Sequence, residues 1–315
     1  MNPAFSVIFL TTLVGAGQGL FLALYAAEWA SRLGWLGAMP DQRLFIWGAG
    51  IAAVLSVIGL LASFAHLGRP ERAWRAATMW RTSWLSREVI VLPAFIGLLV
   101  LYGAAHAWLP AYSFFVGAVT AVVCIALFVC TGMIYACIKF LREWASALTP
   151  INFALLGCAS GGTLAAALAA VLAPQFLGFF AIGAIVFTVA GLIGRAASLV
   201  RNSQLKPKST LQTAIGVKHP RIVQKSQGFM GGSFNTREFF HGRGAGLVRS
   251  IKWVFLLLGF VVPLGLLAAG LAAPAAAVTM LVAAAAIQYV GMIADRWFFF
   301  AQANHPQNLY YQTVA

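Results

Sequence analysis

Of the chain's 315 residues, 61% are hydrophobic and only 9% charged, roughly a third of the charged fraction usual in soluble domains, so a soluble globular protein is excluded in favour of an integral membrane protein. The 21 Lys and Arg outnumber the 7 Asp and Glu and leave a formal charge of +14. In a membrane chain such an excess sets topology and meets anionic lipid or acidic partner surfaces, and no nucleic-acid partner is expected.

Eight apolar runs reach the roughly 20 residues that a bilayer-crossing helix needs. Their length argues for helices, since barrel strands alternate apolar and polar residues over about ten positions. The first run covers 5–27. No Lys or Arg precedes it and no small-residue cleavage pattern follows, so it is expected to be kept as a span rather than removed as a signal peptide. Its GAGQG, 15–19, lacks the strand and spacing of a dinucleotide fingerprint and predicts close helix packing instead; Gly157, Gly161, Gly191 and Gly194 suggest the same use. The second run, 44–65, ends at His66, and the third, 89–109, begins after Glu88. Between them the loop 67–87 carries five arginines.

Runs four and five, 112–138 and 151–173, hold or border all four cysteines: Cys124, Cys130, Cys137 and Cys158. Their spacing suits neither a structural zinc nor an iron–sulfur cluster, and small buried thiols are expected. Run six covers 176–200, and runs seven and eight cover 251–273 and 275–294. Short links at Pro110, at 173–175 and at 273–274 predict three tight helical hairpins. The loop 201–250 is too long for a simple connector, and its basic residues interleave with Ile222, Phe229, Phe234, Phe239 and Phe240, as a docking segment for a cytoplasmic protein requires. Its GRGAG, 242–246, lacks the lysine and the strand of a phosphate loop. The tail, 295–315, opens on the aromatic WFFF and fits an interfacial belt or a second docking strip.

The expected fold is therefore all-α, a single membrane domain of eight transmembrane helices. Loops 67–87, 139–150 and 201–250 share one face and carry five, two and nine basic residues, whereas the opposite face has Arg32 and Arg43 alone. By the positive-inside rule the basic face and both termini are cytoplasmic, with one long basic loop between helices six and seven.

Ionisable residues inside a bilayer are costly, so their depth is informative. Glu28, His66, Glu88, His106, Lys252 and Asp295 all lie at span ends, and Arg195 lies close enough to one end to snorkel. Only Gln18 and Gln288 are strongly polar and well inside, with Asn152 near a terminus. Such empty centres argue against a proton-coupled solute or ion transporter, and against proton pumping. Two-haem ligation is also disfavoured, because His66 and His106 sit on opposite faces, roughly 30 Å apart along a helix of that length.

The densest chemical signal is the pair His66 and Glu88, which ends span two and begins span three at one depth. Imidazole exchanges a proton near neutral pH, and a shielded carboxylate can do the same. A redox quinone needs that pairing, because its carbonyl oxygens gain or lose protons while its ring and tail stay in lipid. Trp84, Ser86 and Arg87, and more weakly Trp80 and Arg81, are placed to complete a headgroup site. A structural reading of the same residues also stands, with His66 capping a helix end and Glu88 complementing a helix dipole or pairing with an arginine. Arg69, Arg72, Arg75 and Arg81 fit ordinary loop cations that meet lipid phosphates or a partner.

The run HLGRPERA from His66, followed by SWLSRE ending at Glu88, resembles the membrane anchor subunit of the dimethyl sulfoxide reductase family, and the eight-span layout extends that likeness over most of the chain. STLQTAIGVKHPRIVQKSQGFMGGSFNTREFFHG from Ser209 and DRWFFFAQANHPQNLYYQ from Asp295 look like the branch that anchors cytoplasmic sulfite dehydrogenases of sulfur-oxidising bacteria. The resemblance implies a multi-pass protein of the bacterial inner membrane that holds a four-cluster iron–sulfur subunit and a molybdopterin catalytic subunit on its cytoplasmic face. It also implies electron exchange with ubiquinone or menaquinone at His66 and Glu88, with no haem and no iron–sulfur cluster in this chain. Electron flow from sulfite to quinone is the leading expectation. The reverse flow, quinol oxidation for a dimethyl sulfoxide or polysulfide reductase, is the alternative, because substrate and potential belong to the partners; a solute or ion transporter is a more distant rival.

Overall fold

In a computed structural model, which describes residues 1–65, 67–206, 209–223, 239 and 241–309, eight helices are long and apolar enough to cross a membrane. They are α1 (Phe5–Arg32), α2 (Gln42–Phe64), α3 (Trp84–Trp108), α4 (Pro110–Ala136), α5 (Leu148–Leu172), α6 (Leu177–Ser203), a seventh span made of α8 (Ala245–Leu256) and α9 (Val262–Ala272), and α10 (Ala277–Ala301). A short α7 (Leu211–Ile215) lies in the loop after α6. The described residues contain no strand. The expected hairpins are present, each turned by a proline at or beside a helix start: Pro110, Pro174 and Pro274.

Helices α1 and α5 form the centre, each with 67% of its most apolar window buried. They meet through glycine, because a bilayer gives spanning helices no apolar driving force toward one another and close backbone approach must supply the packing. A Cβ on Gly19 would collide with the Gly157 carbonyl, and one on Gly161 with the backbone of Leu20 and Gly19. GAGQG is thus a helix-packing stretch, as its composition suggests. Gly191 and Gly194 likewise face Leu156 and Asn152 of α5.

The seventh span is interrupted by a π-helical turn, Leu257–Val261. Pro263 has no N–H to give to the Gly259 carbonyl four residues back, so that oxygen is left over. Gln288 of α10 uses it, its Nε2 donating to Gly259 O at 3.2 Å and to Thr188 Oγ1 at 3.1 Å. The other interior amide, Gln18 Nε2, donates to Cys124 O of α4 at 2.9 Å.

Three expectations change. The aromatic run after Asp295 is neither a belt nor a docking strip, because α10 continues to Ala301 and buries Phe299 and Phe300 against Tyr135, Trp144 and Phe153, and Phe298 against Phe255 and Phe260. Arg195 does not snorkel: it is 3% exposed, and its Nε donates to Asp295 Oδ1 at 2.5 Å. Of the cysteines, Cys124 and Cys130 are buried, but Cys158 is half-buried and Cys137 exposed, since α4 ends one residue before it. Within the expected docking loop, Phe229, Phe234 and Phe240 lie outside the described residues, whereas Phe239 stacks on His305 of the tail with ring centroids 3.6 Å apart.

Candidate functional site

Glu88 does not start its helix. Ser83 is extended, its Oγ accepts the Ser86 N–H at 3.4 Å, and α3 therefore begins at Trp84, five residues earlier than the apolar run. Glu88 consequently lies about one turn inside, 7% exposed, facing the bundle. Thr131 Oγ1, near the end of α4, donates to Glu88 Oε1 at 2.5 Å, and this is the carboxylate's one hydrogen bond among the described residues. Glu88 also lines a small cavity with Thr11 and Gln18 of α1, Phe128 and Thr131 of α4 and Phe153 of α5. Its closed part has room for about one water.

None of the other expected residues lines this cavity among the described residues. Ser86 is buried and Trp84 half-buried. Arg87 folds back over the Trp84 ring at 4.3 Å, and its Nε and Nη2 donate to the carbonyls of Trp80 at 2.9 Å and Arg81 at 2.8 Å. Two of its donors therefore tie the preceding loop to α3. Trp80 and Arg81 are exposed, stacked on each other at 5.4 Å, beyond the start of the helix. His66, the expected partner of Glu88, lies outside the described residues; α2 ends at Phe64 on the same face. Among the described residues no three His, Cys, Asp or Glu side chains come together as metal ligands.

Sequence reasoning missed a second buried acid at the opposite face. Glu28 of α1, 0% exposed, accepts hydrogen bonds from Tyr102 Oη at 2.8 Å, Ser113 Oγ at 2.7 Å and Arg32 Nη2 at 3.1 Å. His106 Nε2 stands 3.4 Å from its other side, with the imidazole stacked on Phe45 at 4.3 Å. The available signal was the four-residue spacing of Glu28 with Arg32 and of Tyr102 with His106, which puts each pair on one helix face. That these pairs converge on Ser113 of a third helix depends on packing.

The arrangement, then, is a buried carboxylate with spare hydrogen-bonding capacity near the basic face of an eight-helix bundle. Residues 1–301 match the family model described as DMSO reductase anchor subunit (DmsC). Over an alignment of 329 positions covering all of both chains, the sequence is 50% identical to a sulfite dehydrogenase subunit of Allochromatium vinosum. This chain is accordingly a multi-pass membrane protein that belongs to the DMSO reductase anchor subunit (DmsC) family.

Proposed function

We propose that this chain is the quinone-reactive anchor of a three-subunit sulfite dehydrogenase in a bacterial inner membrane. Electrons pass from a molybdopterin subunit through the clusters of an iron–sulfur subunit to a membrane quinone at the basic, cytoplasmic face. The 50% full-length identity to a sulfite dehydrogenase subunit supports the substrate, and the excess of Lys and Arg supports the orientation. The observation that carries the site is Glu88, an acid one turn inside α3 whose only hydrogen bond among the described residues comes from Thr131.

A bound quinone supplies a lipid-soluble acceptor of two electrons and two protons. The cavity beside Glu88 is too small to take a ring, so the headgroup is held at the start of α3, where Trp84 offers a flat face and Arg87 Nη1 a donor. Glu88 holds a proton on its carboxylate and gives it to the nearer carbonyl oxygen, with Thr131 fixing the carboxyl rotamer. His66, which follows α2 on the same face, serves the second oxygen. Gln18 and Thr11 line the cavity with polar groups through which a water can return a proton to Glu88.

The test is Glu88→Gln in the assembled complex. Quinone-coupled sulfite oxidation is expected to fall about 100-fold, in line with the loss of one general acid, while oxidation with a soluble artificial acceptor stays unchanged. Equal loss with both acceptors, or no loss with either, sinks the assignment. The family match to a reductase anchor supports a second reading, quinol oxidation at the same residues. Sulfite-driven reduction of quinone in membrane vesicles separates the two directions.

A further inference from the structure

Among the described residues, eight buried side-chain nitrogen or oxygen atoms lack a hydrogen-bond partner, and four of them belong to residues lining one polar cavity between α5, α6 and α10. They are Arg195 Nη2, Arg296 Nε, Gln302 Nε2 and Asn152 Oδ1. Buried polar atoms in native proteins nearly always find partners, so this concentration marks a place built to receive one. The cavity encloses about 300 Å³ including its mouth, near the end of α6 and α10 and the start of α5, and thus close to the basic face.

Arg296 is the most telling member. It is 5% exposed, and its guanidinium lies 3.6 Å from the centroid of Phe153 and 5.6 Å from that of Phe299. Aromatic faces tolerate a cation but give its N–H groups little to bond to. The neighbouring acid, Asp295, is already taken by Arg195. A buried guanidinium therefore presents a fork of donors with no acceptor among the described residues, and oxyanions are what that fork fits best.

The remaining atoms narrow the ligand. Three unpartnered donors and one unpartnered acceptor ask for a group with several acceptor oxygens and one hydroxyl. Glu143 lines the same cavity and limits the negative charge it tolerates, which favours a singly charged group. The closed part of the cavity holds about one water, so one oxygen enters between the arginines and the rest stays in the mouth. We propose that this cavity seats a singly charged phosphate group with a hydroxyl beside it, either the headgroup of a phosphatidylglycerol-type lipid or free dihydrogen phosphate. Phe153 walls both this seat and the Glu88 cavity, so a phosphate here stiffens the α5 side of the bundle next to the candidate site.

The test uses the intact complex, stripped of lipid in neutral detergent and titrated with phosphatidylglycerol, with phosphatidylcholine or with inorganic phosphate, while native mass spectrometry counts the adducts. One saturable phosphatidylglycerol adduct per copy of this chain is expected, against none for phosphatidylcholine. An inorganic phosphate adduct competing with it identifies free phosphate as a sufficient ligand; its absence identifies the lipid as the source. Arg296→Gln is expected to lose the adduct. Gln302→Glu, at the half-buried edge of the cavity, places a carboxylate within reach of the arginines and should lose it while the complex still assembles. No adduct in the unaltered complex, or an adduct equally strong in Gln302→Glu, overturns the proposal.

Discussion

Glu88 of α3 and Glu28 of α1, both buried, lie beside opposite ends of the α3–α4 hairpin, and they differ in how fully they are used. Glu28 is met by Tyr102, Ser113 and Arg32, with His106 beside it, so its carboxylate is saturated and ties α1, α3 and α4 together. Glu88 is met by Thr131 alone among the described residues. Withdrawing an acid from water is costly, and internal hydrogen bonds offset that cost for Glu28 more fully than for Glu88. The saturated acid is a structural clasp, and the unsaturated one has capacity left for chemistry.

Four measurements break or sharpen that contrast. Glu28→Ala removes the hub of the clasp and strands several buried polar groups, so the bundle is expected to lose about 3 kcal/mol of stability, read as an earlier unfolding midpoint. Turnover per folded complex should stay unchanged; a fall specific to quinone would give Glu28 a part in the reaction. Glu88→Gln is expected to show the opposite pattern, a roughly 100-fold slower quinone reaction, about 2.7 kcal/mol in barrier, with little change in melting.

Thr131→Val keeps the shape of the side chain and deletes the hydrogen bond to Glu88. The expected outcome is quinone turnover about 5-fold slower, corresponding to about 1 kcal/mol, with a displaced pH–rate profile. An unchanged profile would mean that the carboxyl needs no positioning from α4.

The smallest effect concerns the tail. His305 stacks on Phe239 and meets Phe140 edge-on at 5.3 Å, and burial lowers its pKa from the usual 6.5. The unfolded tail then binds the proton more readily than the docked one. The contribution of His305 to docking is therefore undiminished above pH 6.5 and weakens as pH falls through that value toward the lowered one. Limited proteolysis of the segment after Ala301 should quicken mildly over that window, and His305→Phe should reduce the dependence, leaving the part that belongs to the Met1 ammonium, which donates to Ala303 O and whose pKa burial lowers to about 6.

Much of the architecture was legible in the chain because a bilayer imposes a one-dimensional rule: a spanning helix needs about 20 apolar residues, whatever surrounds it. The eight spans, the proline-turned hairpins and the glycine contact at Gly19 follow from run length and from small residues. Helix ends were less legible, since caps and aromatic runs extend helices past the apolar stretch. Glu88 thereby moved a turn inside α3, and the WFFF run moved into the core.

What the sequence by itself determined was the class of protein and the number and order of its spans, fixed by the length of each apolar run on a helix of constant rise. Only the tertiary structure decided which groups meet. Glu28 with Tyr102 and Ser113, Arg195 with Asp295, and Arg296 with Phe153 are separated by 74 to 143 positions in the chain. The rotation of each helix about its axis, set by glycine contacts and by packing against several neighbours at once, selects those encounters, and no single span carries that information.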